Sequence, residues 1–174
     1  MKRFFPINLN KIAAALALAV VIAAAAPAAR GAEVNDNLYN YLQLLRSDVN
    51  SLKVELVNSI MKLSADDAKK FWPIYRDYEN ELGKEAISRA EMVTEFVQSH
   101  RDGNFDNTKA KDMAKRWFKS QRARLDLLEK YHGKIEGALT SVQAGQFLQI
   151  ENQIGLFIDV TIASEMPKVG TKGK

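Results

Sequence analysis

From Glu33 to Met166 the chain holds a single proline, Pro73, and its apolar residues return at steps of three and four. Such steps put them on one stripe of a helix, whereas a half-buried strand needs alternation at a step of two. No stretch alternates that way, so the pattern predicts an all-α fold with four principal helices. Leu38, Leu42, Leu45, Val49, Leu52, Leu56, Ile60 and Leu63 form the first stripe. Arg46, Asp48, Asn50, Lys53 and Glu55 fall on its other faces. A seam of this kind can pack as a coiled coil.

A second stripe runs from Phe71 through Ile74, Tyr75, Tyr78, Leu82 and Ala86 to Met92, Val93, Phe96 and Val97. Pro73 lies too deep for a first-turn proline. It predicts a kink near Phe71 to Ile74, or a short helix followed by a new one starting at Pro73. The cluster from Arg101 to Asn107 reads as a loop, with Asn107 or Thr108 capping the third helix. That helix carries Met113, Trp117, Gln121, Leu125, Leu128, Tyr131 and Ile135. Gly133 and Gly137 weaken its end by roughly 1 kcal/mol each. The fourth helix carries Phe147, Ile150, Ile154, Phe157, Ile158 and Ile162, and Pro167 stops it.

Two helix starts share one recipe. Leu63-Ser64-Ala65-Asp66-Asp67 is followed by Phe71, and Leu139-Thr140-Ser141-Val142-Gln143 by Phe147. In each, a hydroxyl can accept from an exposed N–H of the new helix. The side chain three places on can reach back to the cap.

The first 28 residues read as an export leader. Lys2, Arg3 and Lys11 are basic, Ile12 to Ala26 is uncharged and alanine-rich, and Ala26-Pro27-Ala28 has the small-x-small pattern of a cleavage site. The apolar run is short for a span of roughly 20 residues. The expected organisation is a signal peptide over 1–28, one helical domain over 29–166 and a disordered basic tail over 167–174, with no membrane span after cleavage. There is no cysteine, so packing must supply the stability. An exported chain without disulfides points to the bacterial periplasm. Between Glu33 and Met166 there are 18 basic and 21 acidic residues, a net of −3, which argues against a nucleic-acid binder.

Catalysis finds little support: a cysteine nucleophile is impossible, and no glycine-rich phosphate loop is present. Neither a cofactor nor an enzymatic activity is expected. Glu129, His132 and Glu136 have helical ligand spacing, but a solvated charged face explains them better than a metal site. The aromatic groups Phe71, Trp72, Tyr75, Tyr78 and Trp117, Phe118 contain adjacent pairs. Adjacent residues diverge by about 100° on a helix, so one of each pair can point away from the seam and offer a binding surface.

At the twin boxes the sequence resembles the periplasmic stress proteins of the Spy and CpxP type, which carry Leu-Thr-x-x-Gln twice. Leu139, Thr140 and Gln143 match that signature; Leu63, Ser64 and Asp67 depart with Ser for Thr and Asp for Gln. The resemblance implies a bent, elongated helical hairpin that dimerises and holds unfolded or misfolded clients without ATP. The alternative it implies is a regulatory module docking on an envelope-stress sensor, a kinase or an anti-sigma factor. A metal sensor is a more distant third, because the histidine-rich motif of zinc-binding relatives is missing.

Overall fold

The computed structural model describes Val49 and residues 52–169, all within the unit Ala32–Lys174. The leader over 1–28, the stripe positions Leu38, Leu42 and Leu45, and residues 170–174 lie outside the described residues. The described residues form four helices and no strand: α1 over 52–61, α2 over Ala65–Arg101, α3 over Asn107–Ala138 and α4 over Ser141–Glu165. The chain is all α.

Side-chain pairs fix the directions of the helices. Arg116 with Glu95 and Lys130 with Glu81 (2.7 Å) make α2 and α3 an antiparallel hairpin. Lys53 with both Glu79 and Glu151, and Gln146 donating to the Ile60 carbonyl, lay α1 antiparallel to α2 and α4. Hence α2 and α4 run parallel. Asp67 meets Gln143 and Tyr75 meets Glu151, each pair 76 residues apart. Ser64 and Thr140 stand at that same offset, so the two capping boxes come level. Phe71 and Phe147 are buried together behind them.

The helix ends follow local chemistry. Ser64 Oγ accepts from the Asp67 N–H at 3.1 Å and caps α2. Thr140 and Gln143 form a full capping box on α4. The expected reciprocal bond from the cap N–H is made by Thr140 to Gln143 Oε1 at 3.1 Å, whereas the Asp67 carboxylate accepts from Gln143 Nε2 at 3.3 Å and so joins the two helix starts. Hydrogen bonds from Ser64 first and Gln143 second hold its carboxyl below the usual range. Thr140→Ala should lower stability by about 1 kcal/mol in urea unfolding, with the helical content kept. Asp106, and neither Asn107 nor Thr108, caps α3: its carboxylate reaches the Lys109 N–H at 2.9 Å. Gly103, with φ +67°, supplies the left-handed turn before it. Lys62 takes a similar conformation (φ 44°) where α1 ends, a position more often filled by glycine.

Helix α2 runs unbroken through Pro73, so no new helix starts there. Pro73 and Lys69 are both exposed, and water can take the place of the N–H that proline denies the Lys69 carbonyl. The main core gathers Val57, Phe71, Tyr78, Tyr131, Phe147 and Ile150 from all four helices. A second cluster of Met92, Val93, Phe96, Val97 and Ile162 lies toward the α2–α3 turn.

The stripe on α1 is turned by one position from the sequence reading. Val49, Lys53, Val57 and Met61 are buried, while Leu52, Leu56 and Ile60 flank them half-buried. Lys53 therefore lies in the core. On α3 only Tyr131 and Ile135 are buried, and Trp117 and Leu125, expected on the seam, face solvent.

Candidate functional site

The most heavily built polar feature lies between α1, α2 and α4. Lys53 is 3% exposed, and its Nζ stands 2.7 Å from Glu79 Oε1 and 3.0 Å from Glu151 Oε2. Glu151, 4% exposed, also accepts from Tyr75 OH at 3.1 Å and from Tyr78 OH at 2.9 Å. One ammonium thus serves two carboxylates, and two phenols supply the remaining donors for the deeper one. Such a cluster fixes the register of three helices, because sliding any of them would strand a buried charge.

Burial first, and the Glu151 carboxylate second, push the Tyr75 and Tyr78 hydroxyls well above the ordinary phenol range. The cluster forms one end of a cavity of about 120 Å³ walled by Leu82, Ala86, Ala90, Ile154 and Ile158. At the other end Arg89 and Arg124 share Asp159, at 2.6 and 3.4 Å. The Arg124 guanidinium lies where a Cβ on residue 155 would stand, so Gly155 makes room for it.

Tyr131 is the counterpart on α3. Its hydroxyl donates to Glu81 at 2.8 Å, and Lys130 and Lys134 approach its ring at 5.0 and 4.5 Å. Burial first and the Glu81 hydrogen bond second raise its pKa to about 12. A fold that favours the neutral phenol gains stability from it below pH 10 and loses that gain between 10 and about 12. Alkaline titration followed by phenolate absorbance should show Tyr131 ionising near 12. Tyr75 and Tyr78 should ionise only as the protein unfolds.

The residues expected to contact clients separate into two groups. Phe71, Tyr75 and Tyr78 are buried core residues, so the expectation that they offer a binding surface is corrected. Their rings pack against one another and, for Tyr75 and Tyr78, against Phe147. Trp72 is half-buried, edge-on to Phe71 and Tyr75 at 5.2 and 5.7 Å.

Trp117 and Phe118 are 43% and 53% exposed and meet edge to face at 5.1 Å. Leu125, seven residues past Phe118, is exposed on the same face of α3. Leu156 and Val160 are exposed on α4. Arg124 lies against Gly155 and Asp159 across this antiparallel pair, so the next residues along, Leu125, Leu156 and Val160, turn to one common side.

His132 is half-buried between the exposed Glu129 and Glu136. Among the described residues, no group of three or more His, Cys, Asp or Glu is placed to hold a metal ion. No helix among them is long and apolar enough to cross a membrane. Comparisons with protein-family models, curated proteins and solved structures found no match.

Lys53, Glu79 and Glu151 escaped the sequence reading, although a signal was present. Lys53 stands one turn from Val49 and from Val57, and Glu151 one turn from Phe147. A charged residue at core spacing on one helix, with opposite charges at core spacing on others, marks a buried pair.

Proposed function

We propose that the chain is an ATP-independent holdase of the bacterial periplasm, which binds exposed apolar segments of unfolded proteins and works as a homodimer. The observation that carries this reading is the exposed, edge-to-face Trp117–Phe118 pair with Leu125 on the outer face of α3. Large rigid rings offer apolar contact area with few rotatable bonds, and they impose little sequence preference on what they touch. A holdase needs contacts of that kind to keep aggregation-prone segments apart. The leader-like first 28 residues and the twin boxes support the periplasmic stress-protein assignment.

A second copy fits the outer face of α4. Val142, Gln149, Asn152, Leu156, Val160 and Ala163 are exposed there and carry no charge, as the centre of a protein interface requires. Two antiparallel copies of α4 would bring Asn152 against its equivalent near the two-fold axis, where a paired amide can fix register. Leu156→Glu should turn a dimer into a monomer in sedimentation velocity while leaving the fold intact. The holdase reading is tested by light scattering of several unrelated denatured proteins. Protection of all of them at near-equimolar ratios is expected. Protection of none, with tight binding to a single envelope sensor domain, would contradict it.

A further inference from the structure

We propose that the outer face of α3 docks on anionic lipid bilayers. Lys111, Lys115, Phe118, Arg122 and Leu125 follow one another at steps of four, three, four and three, which is one straight stripe along a helix. All five are exposed, and Lys119 stands beside them, also exposed. Among the described residues, Lys111, Lys115, Lys119 and Arg122 enter no salt bridge. The other arginines of this stretch behave differently. Arg116 turns to Glu95 and Asp112, and Arg124 to Asp159. Four unpaired cations thus line the same face as the exposed Phe118 and Leu125.

This pairing of features distinguishes a bilayer surface from other occupants. A purely basic stripe would suit any polyanion, and a purely apolar one any unfolded chain. Cations set along an apolar strip suit an interface where anionic headgroups lie a few ångströms above hydrocarbon. Phe118, Leu125 and the neighbouring Trp117 can enter the acyl boundary while the long Lys and Arg stems keep their charges among the headgroups. Asp112 turns to Arg116, and the exposed Asp126 and Glu129 come after Arg122. Residues 111–122 therefore hold five basic side chains against one acidic, and the net −3 of the region from Glu33 to Met166 is carried elsewhere. Charges farther than about 8 Å from the surface are largely screened at physiological ionic strength.

This goes beyond the holdase reading and does not depend on it. The test is co-sedimentation of the chain lacking residues 1–28, whose described helices all lie in the unit Ala32–Lys174. The vesicles contain phosphatidylglycerol and phosphatidylcholine in equal parts, with vesicles of phosphatidylcholine alone as the comparison. Binding to the anionic vesicles only, weakened by added salt, is expected. Each surface cation contributes about fivefold, so Lys111, Lys115 and Lys119→Gln together should weaken partitioning about a hundredfold. Phe118→Ser should weaken it about tenfold, with the circular dichroism of both variants unchanged. In a Trp72→Phe background, the Trp117 emission should shift to the blue on the anionic vesicles. Equal binding to both vesicle types would overturn the proposal. So would binding that survives the triple substitution, or retention of an acidic protein with no affinity for either vesicle. No client protection by the unsubstituted chain, with its binding to anionic vesicles intact, would sink the holdase reading alone.

Discussion

Lys53→Met is expected to lower the unfolding free energy by about 3 kcal/mol or more, which is what removing one partner of a buried pair costs. Glu79 keeps some access to solvent, with its side chain 21% exposed, and can turn outward when the ammonium is gone. Glu151 cannot, because its side chain is only 3% exposed. It would be left charged among Tyr75, Tyr78 and apolar side chains, with two phenol donors and no cation. Adding Glu151→Gln to Lys53→Met should recover a large part of the loss, since the amide oxygen can still accept from a phenol and no charge remains to be solvated. Urea midpoints of the two variants, read at constant m-value, check both statements. A double variant less stable than Lys53→Met would show that the cluster holds the helices by packing and not by charge.

Phe147→Ala is expected to cost about 3–5 kcal/mol, the range for truncating a fully buried aromatic side chain. Phe147 is 0% exposed, sits one turn past the Thr140–Gln143 box, and meets Tyr75 and Tyr78 edge to face at 6.2 and 5.3 Å. Truncation opens a cavity in the part of the core where α2 and α4 run side by side, and it removes two ring contacts at once. Phe118→Ala on the outer face of α3 should change stability by no more than about 0.5 kcal/mol. Differential scanning calorimetry of the two variants separates a core phenylalanine from a surface one.

Those two phenylalanines also show what could be read from the sequence. The four helices, the α2–α3 turn and both capping hydroxyls were legible, because helical periodicity and cap chemistry act over a few residues. The Asp106 cap was missed by one position, since Asn107 and Thr108 beside it have the same capping chemistry. Burial was harder, because it depends on partners distant in sequence. Tyr75, Tyr78 and Trp117 all sit at apolar spacing, yet α1 and α4 cover the first two while Trp117 faces solvent. Lys53 was placed on a polar face because the leucines beside it outweighed it in the pattern. A turn of one position on α1 puts Val49, Val57 and Met61 inward and carries Lys53 in with them. Its partners, Glu79 and Glu151, lie 26 and 98 residues away, beyond the reach of local spacing.

The twin boxes are structural in this light. They set the starts of α2 and α4 level with each other and join through Asp67 and Gln143. The surface we propose for unfolded clients lies on α3, which neither box starts. That claim is tested most directly by the double variant Trp117→Ser/Phe118→Ser in the light-scattering assay, with its thermal midpoint measured alongside. Protection of denatured clients should be lost while the midpoint stays within a few degrees of the unsubstituted protein. A folded double variant that still protects every client at the same ratio would contradict the account.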